Sequence, residues 1–530
     1  MSVVQEKVSS GKKGRPRIIR PLGNLECYES HMILLGFYAN TIVNCRYTIP
    51  TSLAAPHLHD QLIAQLEDAI GRVVIEHPAL RVGIVEEDSK RPAWVEVDLI
   101  DLTHHVEWQI VDAATDYDTL FRERIQKRLD EPYSKIPMRP RWRVLLLLKQ
   151  GATPFVDVVF DYSHGFADGT SGKIFHETLL RILNTSTPTP SETEPVLTNR
   201  VLRIPPTVRK LPPPLEKLCK FQLSPKYTLS IAWKELKPRG FISKSASRAD
   251  WAPIRASPFK TQSRAFDVEP EVLQKVLAAC RTHETTLTGL LHAVALASLA
   301  SRLHPRDAAA FAGSTALDMR RHMQPQPAAH PGLEPKRTMA DFVSAMTHDF
   351  DAELVRKIRE AAAASAFPAS SSLRERDGDD DTPFPPALVD LVWQCAAQVR
   401  AEIQKRLDLG LKNDIVGVMK LVPDWRAQFR DQARKPRACS VVVTNLGALD
   451  GAAAPANDEH ISPGNRWEIE RALFGISSEV CGAAFAISPI SVKGKTLCVS
   501  CSWQDCVLDV KLAETIVADL ERWLRFLGKL

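Results

Sequence analysis

Apolar side chains recur at three- and four-residue spacing in PHLHDQLIAQLEDAIGRVVIEHPAL, placing Leu58, Leu62, Leu66, Ile70 and Val73 on one face of a helix. RVGIVEE follows as a strand. RWRVLLLLKQ and TPFVDVVFDYS are continuous apolar runs around a short glycine-containing turn, which predicts two neighbouring core strands. A helix, SGKIFHETLLRILN, comes next. The second half repeats this alternation with the strand SRAFDVE, the helices EPEVLQKVLAACRTHE and TLTGLLHAVALASLASRL, and the strand FAGSTALDMR. Three late strands, RACSVVVTNLGAL, EVCGAAFAISPIS and KTLCVSCSWQD, precede a closing amphipathic helix, LAETIVADLERWLRFLGKL. That helix carries Leu512, Ile516, Leu520, Trp523, Leu524 and Leu527 on one side, and its polar face mixes acids with bases, which favours docking on the protein over lying on a membrane. The alternation predicts an α/β protein.

Where the periodicity lapses, composition shifts. Residues 1–20 read as a mobile basic arm, 186–258 as a crossover linker rich in Pro, Ser, Thr and Lys, and 366–386 as a solvated acidic insertion. The expected division is therefore an arm at 1–20, a first lobe at 21–185, a linker at 186–258 and a second lobe at 259–530. A chain of 530 residues with 44% hydrophobic and 25% charged residues can bury a large core. Its 68 Lys+Arg against 63 Asp+Glu leave +5, too diffuse to make nucleic acid a partner. No apolar run is long enough to span a membrane, and no apolar segment backs the basic N-terminus as a secretion signal would. Ten scattered cysteines fit a reducing, cytoplasmic compartment. Cys498 and Cys501 form a CxxC, but strand alternation sends them to opposite faces, so no metal is expected there, and the acidic run DGDDD reads as solvated rather than as a metal site.

The stretch VDVVFDYSHGFADGTSGKIF can carry chemistry: a buried strand ends in His164-Gly165-Phe166-Ala167-Asp168-Gly169 and turns into a helix. Imidazole titrates near neutrality and suits a general base, and a carboxylate four residues on can fix the loop that aims it, directly or through an arginine. The residues by themselves read equally well as a loop histidine and a helix-capping aspartate. His104, His105, His176 and His292 show no metal spacing, and no G-x-S-x-G elbow supports a serine nucleophile.

The segments RPLGNLECYESHMILLGFYANTIVNCRYTIP, EHPALRVGI, SHGFADGTSG, TLTGLLHAVALASLASRL, STALDMRRH and VVVTNLGAL together resemble, in content and order, the fungal alcohol O-acetyltransferase family, trichothecene 15-O-acetyltransferases included, within the chloramphenicol acetyltransferase-like, HxxxD CoA-dependent acyltransferases. The resemblance implies two lobes, each a mixed sheet with flanking helices, and an active-site tunnel between them that admits acetyl-CoA and an alcohol. It implies His164 as base toward the hydroxyl and Asp168 as a structural acid paired with an arginine. Arg81 of HPALR is the matching position for that arginine, with Arg320 as a second candidate; Gly165 and Gly169 are the motif glycines. The sequence lacks the DFGWG loop of plant relatives, so CoA contacts do not carry over. Ser163 stands where peptide condensation domains have a first histidine.

Direct transfer without an acyl-enzyme follows from this set, and its oxyanion needs a donor from a second-lobe strand, for which Thr444, Asn445 and Ser502 are candidates. The expected reaction is acetyl transfer to a bulky hydrophobic secondary metabolite, a terpenoid or polyketide, by a monomer in the cytoplasm that can lie against an internal membrane. Two alternatives share these features: a condensation-type enzyme that uses a carrier-bound donor, and a non-catalytic binder of hydrophobic ligands.

Overall fold

The computed structural model describes residues 17–134, 137–151, 153–185, 197–205, 210–236, 247–325, 327, 330–364, 384–452 and 464–529. Most of the expected arm (1–16) and insertion (365–383), and parts of the linker, lie outside them. Two large sheets organise the chain. The first has five strands in the order Glu468–Ile476, Thr41–Thr48, Phe155–Tyr162, Trp142–Lys149 and Val106–Val111, antiparallel except for the last pair. The expected pair of core strands is thus observed at the centre of this sheet. Helices His59–Glu76 and Gly169–Leu183 pack on each other, and the second also packs on strand Thr41–Thr48, because their apolar stripes have no other cover.

The second sheet has seven strands. Its path runs Thr261–Val268, Leu497–Gln504, Phe485–Val492, Val441–Val443, Phe311–Asp318 and Val343–Phe350, with Ala448–Leu449 pairing beside Phe485–Val492. Val441–Val443 runs parallel to both of its neighbours, and the other pairs on the path are antiparallel. The segment read as one strand, RACSVVVTNLGAL, is interrupted at 444–447, where Gly447 adopts φ +66°, although Thr444 N and Leu446 N still donate to the Ile487 and Pro489 carbonyls of the neighbouring strand. Helix Leu287–Arg302 is apolar nearly all round and runs beneath this sheet against the 23-residue helix Pro386–Asp408. The closing helix Val510–Lys529 docks on helices Pro270–Thr282 and Leu287–Arg302 and on strand Thr261–Val268, burying Ile516, Leu520, Trp523, Leu524 and Leu527. In strand Leu497–Gln504, Cys498 joins the first-lobe core and Cys501 the second, as alternation requires.

Two boundaries differ from expectation. Strand Ile18–Pro21, within the expected arm, pairs with Ala93–Glu96 because its backbone completes a small sheet edge. Strand Glu468–Ile476, inside the expected second lobe, hydrogen-bonds to Thr41–Thr48 and closes the first sheet. The linker also holds structure, with strand Val201–Arg203 pairing with Leu99–Asp101 and a helix at Pro225–Leu236.

Close packing of helix on sheet depends on Gly172, where a Cβ would stand 2.3 Å from Val43 Cγ2 and 2.9 Å from Tyr162 Oη. Val43 is β-branched and fixed in the sheet, so it cannot yield cheaply. Gly172→Ala is expected to cost about 1–3 kcal/mol through overpacking, read as a lowered urea midpoint with an unchanged slope.

Candidate active site

The turn that follows strand Phe155–Tyr162 is fixed at both ends. Ser163 N donates to the Arg141 carbonyl at 3.0 Å, and Tyr162 Oη donates to the Asp168 carbonyl at 2.8 Å. Asp168 caps helix Gly169–Leu183, its Oδ1 accepting from Ser171 N and Ser171 Oγ, each at 2.9 Å. The helix-cap reading is therefore right as far as it goes, but the same carboxylate has a larger role.

Arg320 follows the second-sheet strand Phe311–Asp318 and meets Asp168 through two bonds, Nη1 to Oδ2 at 2.6 Å and Nη2 to Oδ1 at 3.0 Å. Phe342 N adds a bond to Oδ2 at 2.9 Å, and Arg320 Nη2 also donates to the carbonyls of Thr338 and Ala340. Both partners are almost fully buried, 3% and 5% exposed. Burial pushes the Asp168 carboxyl up, but the Arg320 charge and these hydrogen bonds outweigh it and hold the group below the usual carboxylate range. The second arginine candidate is thus the partner.

Arg81 is not. It ends the turn Pro78–Arg81 in the first lobe, where burial lowers its pKa to about 10 and Glu96 of the adjoining strand acts the other way. Asp168 has its acceptor sites filled by Arg320, Ser171 and Phe342, so no site remains for Arg81.

His164 projects from this turn into an acidic corner. Its Nδ1 is buried with no hydrogen bond, 3.7 Å from Asp341 Oδ1 and 3.8 Å from Glu29 Oε1. The ring of Tyr38 packs edge-on at 6.0 Å. The imidazole side chain is 17% exposed, so part of the ring away from the buried Nδ1 is accessible. Burial lowers the His164 pKa, against the upward pull of Asp168 and of the residue's own backbone, which favours the neutral ring that can accept a proton.

Glu29 and Asp341 carry no motif signal. Glu29 lies on helix Asn24–Leu34, which abuts the turn at Gly165: a Cβ there would sit 3.7 Å from Ser30 N, an ordinary contact. The usable hint was the run of polar residues, Glu26, Glu29 and Ser30, on the buried side of that helix. Asp341 belongs to the strap between Thr338 and Phe342, whose neighbours Ala340 and Phe342 bind the Asp168–Arg320 unit through their backbones. Among the described residues, Glu29, His164 and Asp341 are the group whose ligand atoms lie within 4.8 Å of one another, close enough to converge on one cation.

Gly169 admits close approach of the segment after Val441–Val443 and of strand Glu468–Ile476, since a Cβ would stand 2.6 Å from Leu446 Cδ2 and 3.2 Å from Phe474 Cζ. The three oxyanion candidates sit differently. Thr444 Oγ1 bonds Ser488 Oγ at 3.0 Å, and Asn445 Nδ2 donates to Thr288 Oγ1 at 3.1 Å while its Oδ1 accepts from Gly447 N. Ser502 Oγ is buried without a partner and lines a small cavity with Ser477, Ser478, Glu479 and Gln504. A cavity of about 440 Å³ lies at Thr119–Asp130 and Lys260–Thr261, and its lining does not include His164. One of about 260 Å³ is lined by His77, Lys210, His330, Thr338 and Met339, the last two from the strap that carries Asp341.

Residues 101–320 match the family described as alcohol acetyltransferase. Across 97% of this chain and 96% of its own length, the probable alcohol acetyltransferase FCK4 of Fusarium pseudograminearum is 28% identical. The TRI3 trichothecene 15-O-acetyltransferase of Fusarium sporotrichioides has the same fold, with TM-score 0.67 at 14% identity over 98% of this chain and 96% of that one. So does F. sporotrichioides TRI101 complexed with coenzyme A and T-2, with TM-score 0.52 at 12% identity over 92% and 95%. The fold is thus the two-lobed one of the chloramphenicol acetyltransferase-like proteins. The chain is similar to alcohol acetyltransferases over residues 101–320 and, at 28% identity, over nearly its whole length, which supports an acyltransferase enzyme.

Cutting either side of the Asp168–Arg320 pair leaves a buried charge without its counter-ion, so Asp168→Asn and Arg320→Ala should each cost about 3–5 kcal/mol. A double-mutant cycle read by denaturation should show strong coupling between 168 and 320 and additivity between 168 and 81. Because the Asp168 pKa is depressed on folding, its contribution is present above the unfolded carboxylate pKa of about 3.9 and fades as the pH falls through the folded value. Asp168→Asn should therefore narrow the stability gap to wild type as the pH is lowered from 5 toward about 2.

Proposed function

We propose that this enzyme transfers an acetyl group from acetyl-CoA to a hydroxyl of a hydrophobic small molecule, a terpenoid or polyketide alcohol of fungal secondary metabolism. The observation that carries this reading is His164 itself. Burial favours its neutral form, Nδ1 is turned inward and the side chain stays 17% exposed, on a turn held rigid by the Asp168–Arg320 bridge. A base so placed accepts the hydroxyl proton at Nε2 as the alcohol oxygen attacks the thioester carbonyl, then returns that proton to the CoA sulfur as the C–S bond breaks. Both events fit one ternary complex. The alcohol acetyltransferase relatives and the fold neighbour named with coenzyme A and T-2 support the donor and a bulky acceptor.

The tetrahedral intermediate needs a donor for its oxyanion. Thr444 and Asn445 are engaged with Ser488 and Thr288, whereas the Ser502 hydroxyl is uncommitted, which favours Ser502 for that role. No helix of the described residues is long and apolar enough to cross a membrane, and the apolar face of the closing helix is already covered by protein. We read the enzyme as a monomer that works in the cytoplasm on a small alcohol.

Incubation with acetyl-CoA and a panel of hydroxylated terpenoids and polyketides should give acetylated product by mass spectrometry, with His164→Ala reduced by about 10²-fold or more in kcat. Full turnover of that variant overturns the assignment of the base. Burial pushes the Cys498 and Cys501 thiols far up, away from the thiolate a nucleophile needs. Cys498→Ser and Cys501→Ser should keep sequential kinetics and the same product; a stable acetyl-enzyme formed from acetyl-CoA alone would contradict direct transfer.

A further inference from the structure

Three buried polar atoms beside the proposed base lack any hydrogen-bond partner: His164 Nδ1 and both carboxylate oxygens of Asp341. An unmade bond at such an atom costs about 1–3 kcal/mol, so three in one corner call for a common solution. Among the described residues no cationic side chain bonds these atoms: Arg320, whose charge pulls the Asp341 carboxyl down, is bonded to Asp168 and Asp318, and Arg437 acts on Glu479 and donates to backbone carbonyls. The groups beside the ring are acidic or phenolic, Glu29 from the opening helix, Asp341 from the strap, Asp168 from the histidine's own turn and Tyr38 against the ring, with the Arg320 charge acting on Asp341 from its bond to Asp168. Behind these, Glu479 acts on Glu29 and is paired with Tyr28, while Glu26 acts on Asp341.

We propose that Glu29 and Asp341 share one proton and serve together as the positioning acid of His164, taking the Nδ1–H and thereby keeping the lone pair on Nε2. This rests on the reading of His164 as the base. Burial first, then repulsion from Glu479 for Glu29 and from Glu29 and Asp168 for Asp341, drives both carboxyls well above their ordinary range, as expected of two acids that cannot both ionise. The pair keeps one proton between its two carboxyl groups, and the remaining negative charge acts on Nδ1. The separations of 3.7 and 3.8 Å are those of a resting site, and they shorten into a charge-assisted bond when the ring becomes imidazolium. The proton count of the pair never changes. Nε2 gains a proton as the C–O bond forms and loses it to sulfur as the C–S bond breaks, while Nδ1–H stays in place. The strap explains the placement, because Ala340 and Phe342 are pinned by the Asp168–Arg320 unit and Asp341 lies between them.

The test uses the full chain with Glu29→Gln, Asp341→Asn, the double variant and His164→Ala. Each single change should lower kcat about 10-fold and the pair about 10²-fold, with KM for acetyl-CoA within about 2-fold. The acid limb of kcat/KM in the double variant should move to lower pH by about one unit, since the charge that favoured imidazolium is gone. The melting temperature should hold or rise, because repelling buried acids are removed. Wild-type turnover and an unmoved limb in the double variant, with His164→Ala inactive, overturn the acid pair alone. Lost activity with a fallen melting temperature and an unmoved limb also overturns it, by assigning a structural role. Full turnover in His164→Ala overturns the base reading beneath it.

Discussion

The buried Asp168–Arg320 ion pair is the constraint on which the rest of the site depends. One partner caps a helix at the end of a first-lobe strand and the other follows a second-lobe strand, so the pair ties the two sheets together at the turn that carries His164. Its desolvation is costly, and only a bidentate geometry with the added donors Ser171 and Phe342 makes it tolerable. What the pair contributes is position. His164 lies on the turn it closes, and Asp341 on the strap it holds.

Local periodicity carried the strand–turn–helix around His164 into view, because an apolar run, a polar turn and a 3.6-residue stripe follow one another without interruption at 155–183. The opposed faces of Cys498 and Cys501 were equally legible, being a matter of strand pleat. The choice between Arg81 and Arg320 was not, since a motif position fixes a residue along the chain but not the reach of its side chain across a fold. Glu29 and Asp341 were hidden for a deeper reason. An acid in a sequence reads as solvated, and only the meeting of an opening helix, a turn and a distant strap shows these two to be buried. The break at Thr444–Gly447 escaped notice because VVVTNLGAL is strand-like until one glycine turns the backbone.

The site is unlike the cores on either side of it. Both sheets bury aliphatic and aromatic side chains in dense clusters, whereas the corner behind His164 concentrates acids that repel one another. Such an arrangement lowers stability for the sake of a histidine held neutral and aimed.

The strand Glu468–Ile476 has a consequence for how the molecule is made. It pairs with residues about 420 positions earlier, so the first sheet cannot close while the chain is still emerging from the ribosome. Until then the edge of Thr41–Thr48 is an open template for other strands, which makes the nascent first lobe a natural client for chaperones. The two halves are therefore not separable modules, and a gene truncated before the last strands would yield an incomplete first lobe as well as a missing second one.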